Sequence, residues 1–181
     1  NHVTYVKVVN SSYALGIIAS NFFNNPSSNI KLIGITGTNG KSSVAYYLFE
    51  LFQKLNFKVG LISTIENKIN NQSFESTHTT PSALEINKLL SLMVEERCEF
   101  CFMEVSSHGI DQNRIVGLNF NIAIFSNISR DHLDYHNSFE QYKNTKKKFF
   151  DNLNKDAISI VNKDDTYSSN ILLDTKSKKI F

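Results

Sequence analysis

Short apolar runs alternate along the chain with longer stretches in which apolar positions recur at helical spacing. Residues 3–9 (VTYVKVV) predict a strand, and 11–23 a helix with Ser11 or Ser12 as its N-cap. Residues 24–29 (NNPSSN) read as a linker, with Pro26 stopping the helix. A strand over 30–36 runs into a glycine-containing turn, then a helix over 41–55 and a short strand over 58–62. The polar stretch 64–78 predicts a surface hairpin turning at Asn70-Asn71. Pro81 suits the first turn of a helix running to 96, whose Ile86, Leu89, Leu90, Met93 and Val94 keep helical spacing. Strands over 100–105 and 121–125, a helix over 138–153, a strand over 157–161, a short helix over 166–173 and a strand over 179–181 complete the pattern. The expected class is α/β: a mostly parallel sheet flanked by helices, with right-handed crossovers.

The length of 181 residues allows one domain, or one domain plus a fragment of another. A hydrophobic content of 41% is ample for a core and excludes wholesale disorder. No apolar run approaches the ~18–20 residues of a membrane span, and no signal peptide is recognisable. With 19 basic against 17 acidic residues the charge is too even to argue for nucleic acid. Two cysteines make no disulfide framework, which fits a reducing cytoplasm. Cys98 and Cys101 stand as C-x-x-C before a buried-type strand rather than a helix, so they read as structural thiols. The chain begins with Asn1 rather than Met, the expectation for a piece of a longer protein.

Chemistry concentrates at the predicted carboxyl ends of strands, where ligands bind in open α/β sheets. Three of the seven glycines are Gly34, Gly37 and Gly40, in GITGTNGKSS. A glycine turn between a strand and a helix turns backbone N–H groups toward an anion, and here it carries Lys41 for outer phosphates and Ser42 for Mg²⁺. Relative to the usual P-loop the motif is short, since the first glycine's place is taken by Ile35. An ordinary strand-to-helix turn is the competing reading. Glu104 ends an apolar strand and needs compensation, from Mg²⁺ or from Arg114. His132 and His136 stand four apart and could share a metal, but a zinc hydrolase lacks a third ligand at recognisable spacing. Thr80 could cap the next helix or touch substrate. In helix 138–153, Phe139, Tyr142, Phe149, Phe150 and Leu153 make one face, with Lys146 near its centre and Lys147 and Lys148 turned toward solvent. Lys146 could snorkel, hold a lowered pKa, or carry a modification.

Taken together, GITGTNGKSS, HTTPSALE, MEVSSHGIDQNR and FSNISRDHLDYH resemble the Mur ligases, the ATP-dependent amide-forming enzymes of peptidoglycan synthesis. The likeness is to the UDP-N-acetylmuramoyl-tripeptide synthetase branch, which adds the third residue of the stem peptide. It implies that 1–29 is the end of a UDP-binding domain and its connector, and that 30–181 is part of the central P-loop-type ATP-binding domain, which is incomplete. It implies ATP contacts at Gly37, Thr38, Asn39, Gly40, Lys41, Ser42, Ser43 and Asn127. Substrate contacts are implied at Thr79, Thr80, Ser106, Gln112 and Arg114, with His78 less well matched. Metal ligands are implied at Ser42, Glu104, His132 and Lys146, the last as a carbamate, and Lys41, Lys146 and His132 take the catalytic roles. The cofactors implied are ATP and Mg²⁺, and the partners are a UDP-muramoyl dipeptide and a diamino acid. The acceptor, diaminopimelate or lysine, stays open, as do the UDP-site residues and the oligomeric state. Two rival readings remain: a folylpolyglutamate synthase-like ligase, against which EVSSHGIDQNR and SRDHLDYH argue, and a nucleotide-binding module without catalysis.

Overall fold

The computed structural model describes residues 3–181. Helix α1 (Ser11–Phe22) starts behind Asn10, whose side chain accepts a hydrogen bond from the Tyr13 N–H at 2.9 Å. The cap is therefore Asn10, one residue before the serines expected. The chain reverses through Asn24 and Asn25, both left-handed, and a short 3₁₀ turn at Pro26–Ser28. Next come β1 (Lys31–Thr36), α2 (Lys41–Lys54), β2 (Val59–Ile62) and a hairpin of β3 (Glu66–Ile69) and β4 (Gln72–Glu75). After them lie α3 (Ala83–Glu95), β5 (Phe100–Glu104), α4 (Ser107–Asp111) and β6 (Ile122–Phe125). The chain closes with α5 (Leu133–His136), α6 (Phe139–Asp151), β7 (Ile158–Val161), α7 (Ser168–Ile171) and β8 (Lys178–Ile180). No helix among the described residues is long and apolar enough to cross a membrane.

The strands form one eight-stranded sheet in the order β4-β3-β2-β5-β1-β6-β7-β8. Only the hairpin at one edge is antiparallel. The expected class therefore holds, and the hairpin turns where expected, with Asn70 left-handed. Strand β1 lies between β5 and β6, so the loops leaving these three strands meet at one end of the sheet. Ile33 and Ile35 face α2, where they pack with Ala45, Phe49, Leu61 and Phe102. The other face carries the larger core, including Leu32, Ile86, Leu90, Met103, Phe125, Tyr142, Phe149 and Phe150.

Three local expectations need correction. Residues 3–9 make no strand: they are exposed and without regular structure, and no strand of the sheet lies beside them. Alternation alone does not stabilise a strand whose backbone groups lack a partner. The helix after Pro81 begins two residues later than expected, with Ser82 as its N-cap accepting from the Glu85 N–H at 3.3 Å. Thr80 is therefore not that cap. The short helices α4 and α5 were not expected, being too brief to show a period.

Gly34 has a packing role distinct from the turn that follows it. A β-carbon there would lie 2.6 Å from Phe149 Cζ and 2.8 Å from Phe120 Cε1. The sequence groups it with Gly37 and Gly40, but its hydrogen atom lets α6 lie against β1. Overpacking of this kind costs about 1–3 kcal/mol. Gly34→Ala should lower the unfolding free energy by that amount, seen as a reduced urea midpoint at unchanged slope. Undiminished stability would show that the contact is not tight.

Candidate functional site

The turn after β1 is held from below by the loop after β6. Gly37 (φ +153°) and Gly40 (φ +85°) take backbone angles that favour glycine. The Thr38 N–H donates to the Asn127 carbonyl at 2.9 Å. The Asn127 side chain then pairs with the Asn39 backbone in both directions, accepting from its N–H and donating to its carbonyl, each at 3.0 Å. Ser126 Oγ donates to the same carbonyl at 2.8 Å. The amide of Asn127 thus faces the turn itself. Such a pinned glycine turn opening a 14-residue helix has the geometry of a phosphate cradle.

Two lysines from opposite faces of the sheet converge on this turn. Lys41 Nζ, from α2, donates to the carbonyls of Gly37 at 3.0 Å and Thr38 at 2.9 Å. Lys146 Nζ, from α6, donates to the same Gly37 carbonyl at 3.0 Å. Lys146 is 1% exposed and its amine lies 4.7 Å from the centre of the Tyr142 ring. It does not snorkel. Lys147, by contrast, reaches Asp151 at 2.8 Å on its own helix.

Glu104 ends β5 and is fully buried. It accepts from Ser42 Oγ at 3.0 Å, from the Thr64 N–H at 2.8 Å and from Thr64 Oγ1 at 3.2 Å. Arg114 does not compensate it: the guanidinium donates to the Thr80 carbonyl at 2.6 Å and to Gln112 Oε1 at 3.0 and 2.5 Å. A buried carboxylate with a serine hydroxyl beside it and no ion-pair partner among the described residues is a hard-oxygen donor set suited to Mg²⁺. Sequence reasoning misses Thr64 because it lies in the polar hairpin segment, where nothing distinguishes it.

The remaining expected residues gather around a cleft of about 230 Å³, lined among others by Lys41, Thr80, Ser106, Arg114, His132 and Lys146. Thr79 and His78 stand on its rim, with Thr79 Oγ1 3.0 Å from Thr64 Oγ1. Thr80 is buried and donates to the Glu104 carbonyl at 3.0 Å, while its oxygen accepts from the Ser106 N–H at 2.9 Å. Ser106 caps α4 through the Gly109 N–H. Gln112 reaches the cleft only through Arg114 and is itself bonded to the Tyr135 hydroxyl. His132 sits at φ +52°, strained for a non-glycine residue, with its N–H bonded to Asp131 Oδ1 at 2.8 Å. A zinc site finds no support: among the described residues no cluster of three His, Cys, Asp or Glu side chains is placed to hold a metal. His136 is buried with both ring nitrogens unpartnered. Cys98 and Cys101 are buried free thiols, and burial pushes the Cys98 pKa up to about 11. A larger cavity, of about 350 Å³, lies between α1 and α6 and contains none of the residues expected to act.

The fold and this cleft define a nucleotide-binding α/β domain. Residues 35–180 match the model of the Mur ligase middle domain, and the chain belongs to that family. It is 50% identical over 175 residues to the UDP-N-acetylmuramoyl-L-alanyl-D-glutamate–2,6-diaminopimelate ligase of Cytophaga hutchinsonii, covering 97% of this chain and 36% of the relative. The enzyme of the same name from Bacteroides fragilis is 48% identical over 176 residues, with the same shares covered. The chain thus spans about a third of the length of these curated relatives. A solved structure of a 2,6-diaminopimelate ligase of this name superposes with a TM-score of 0.81 at 26% identity, over 98% of this chain and 38% of that one. Mycobacterium tuberculosis folylpolyglutamate synthase, solved with ADP and AMPPCP, gives 0.75 at 15% identity over 93% of this chain and 46% of that one, a likeness of fold alone.

Burial, reinforced by the Lys41 charge, brings the Lys146 pKa down from 10.5 to about 7. Lys41 is also lowered by burial, against the opposing pull of Glu104 and Asp131. Between pH 7 and 10.5 the unfolded chain holds a proton on Lys146 that the folded chain has released. Stability therefore rises with pH through that window, and below it the full penalty of the buried charge is present. In CO₂-free buffer, Lys146→Met should be more stable than the wild type by roughly 2–5 kcal/mol at pH 7. The advantage should shrink toward pH 10.5, the ordinary lysine value. Urea unfolding at pH 7 and pH 10 checks this; a gain independent of pH would contradict a depressed pKa.

Proposed function

We propose that this chain is the nucleotide-binding core of an ATP-dependent ligase of peptidoglycan synthesis, joining diaminopimelate to UDP-N-acetylmuramoyl-L-alanyl-D-glutamate. The observation that carries this is the convergence of Lys41 and Lys146 on the Gly37 carbonyl, beside the Ser42–Glu104 pair, in one cleft with Arg114. The acceptor follows the names of relatives at 45–50% identity rather than any residue of this chain.

The reaction begins with transfer of the γ-phosphoryl group of ATP to the side-chain carboxylate of D-glutamate, giving an acyl phosphate. The amine of diaminopimelate then attacks the acyl carbon, the amide forms, and inorganic phosphate leaves. The first step brings a carboxylate against a polyanion. At 4 Å two like charges repel by about 4 kcal/mol at an effective dielectric of 20. Lys41 offsets part of that from the phosphate side, and the N–H groups of Gly37, Gly40, Ser42 and Ser43 line the phosphates, while Thr38 and Asn39, their own N–H groups bonded to Asn127, shape the turn. Asn127 acts on ATP through the turn it holds. Arg114, fixed by Gln112 and Thr80, orients the substrate's anionic end, with Thr79 and Ser106 beside it.

Ser42 and Glu104 would hold one Mg²⁺; His132 and a carbamylated Lys146 would hold a second. Bound there, the ions supply charge neutralisation for phosphoryl transfer. A neutral amine, as the depressed pKa of Lys146 provides, is the form that adds CO₂. Residues 1–29 belong to the end of a UDP-binding domain and its connector. Tyr5 and Val9 there lie exposed. The enzyme works in the cytoplasm, where its nucleotide-linked substrate is made.

The test is phosphate release by the full-length protein with UDP-muramoyl dipeptide, comparing diaminopimelate with lysine. Release is expected with diaminopimelate, and none with either amine would leave only a nucleotide-binding module. Lys41→Ala should reduce release by more than about 10²-fold, the scale on which a lost transition-state charge contact is felt; near-normal turnover would remove Lys41 from the chemistry. Lys146→Ala should be nearly inactive and partly rescued by short carboxylic acids, whereas full activity would exclude a catalytic carbamate.

A further inference from the structure

One buried side chain outside the expected set touches the glycine turn, Lys146 and the His132 ring at once. Tyr142, on α6, is fully buried. Its hydroxyl lies 3.1 Å from Thr38 Oγ1, and its ring face seats the Lys146 amine. Its ring also meets those of His132 and His136, with centroids 5.9 and 5.2 Å away. Sequence periodicity counts it merely as part of an apolar stripe.

The hydrogens around Thr38 can be assigned. Its Oγ1 accepts from the Ser129 N–H at 3.0 Å and lies 3.3 Å from the Ser129 carbonyl. A threonine hydroxyl has one proton and two lone pairs. If that proton goes to the Ser129 carbonyl, the remaining lone pair is free for the Tyr142 O–H, and all the groups are satisfied together. Thr38 also offers its carbonyl to Lys41 Nζ at 2.9 Å and its N–H to the Asn127 carbonyl at 2.9 Å. The tyrosine hydroxyl therefore reaches Lys41 through a single intervening residue.

We propose that Tyr142 is a positioning residue for the nucleotide: its hydroxyl fixes Thr38, and through Thr38 the phosphate-binding turn and Lys41. This rests on the ligase reading above, and it assigns Tyr142 no contact with substrate. The hydroxyl and the ring are separable, because Tyr142→Phe keeps the seat of Lys146 and the packing of α6 while removing only the bond to Thr38.

The experiment measures the Kd of a fluorescent ADP analogue, together with the KM values for ATP and the muramoyl dipeptide, in full-length Tyr142→Phe. Loss of one neutral hydrogen bond should weaken nucleotide binding about 3- to 10-fold, raising the KM for ATP in step. The KM for dipeptide and the melting temperature should stay near wild type. A Thr38→Val background should absorb the effect, so that Tyr142→Phe changes the Kd less there than alone. An unchanged Kd overturns the proposal. So does a parallel rise in both KM values with a lower melting temperature, which would make the tyrosine a packing residue only. Wild-type protein that binds the ADP analogue but fails to turn over would count against the ligase reading and leave the binding measurement to decide this one.

Discussion

Two lysine amines donating to one carbonyl oxygen is the arrangement on which the rest of this site depends. Each lies 3.0 Å from the Gly37 oxygen, so the nitrogens are at most about 6 Å apart. If both were charged they would repel by about 3 kcal/mol at an effective dielectric of 20. The fold resolves this by asymmetry. Asp131 favours the charged form of both, but Lys41 also has the Glu104 charge beside it, while Lys146 is buried against the Tyr142 ring and gives up its proton near neutrality. The two amines are thus divided by environment, Lys146 enclosed on α6 and Lys41 beside the buried Glu104 carboxylate. That division needs helices on both faces of the sheet, since one helix could not aim two lysines at the same oxygen from different sides.

The sheet is built so that this is possible. Placing β1 between β5 and β6 brings three loops to one edge, where the first cradles, the second supplies the buried carboxylate and the third clamps. Gly34 allows α6 to approach β1 closely enough for Lys146 to reach past the strand end. The clamp from β6 holds the turn through Asn127 and Ser126 before any ligand arrives. The entropy of ordering the loop is thus met during folding rather than at binding.

Much of this is legible in the sequence, for identifiable reasons. Helices and central strands are long or apolar enough for their period to show, and the turn is marked by glycines followed by Lys41. Lys146 is legible as an anomaly, a cation on a buried stripe. Residues 3–9 mislead because they alternate as a strand does, yet alternation says nothing about whether a partner exists. Thr80 is a reasonable cap by residue type, but Ser82 takes that place and frees Thr80 to bind the β5 carbonyl. Thr64 and Tyr142 are invisible as site residues, because one lies in a polar hairpin and the other on an apolar face. Their roles arise only when strands distant in sequence are brought side by side.

What separates this chain from its structural neighbours follows from the same division of labour. A folylpolyglutamate synthase shares the sheet with a TM-score of 0.75 at 15% identity, so the scaffold tolerates almost complete replacement of its residues. A parallel sheet with one short glycine turn asks little of sequence beyond apolar strands and a few small residues. The second face of the cleft asks more. Arg114 is aimed by a side-chain amide, a backbone carbonyl and the short helix α4, and moving any one of these moves the charge that lines the cleft. The segment after β5 thus depends on particular side chains where the sheet does not. That segment carries VSSHGIDQNR, part of one of the motifs by which the chain resembles one branch of its family rather than the fold as a whole.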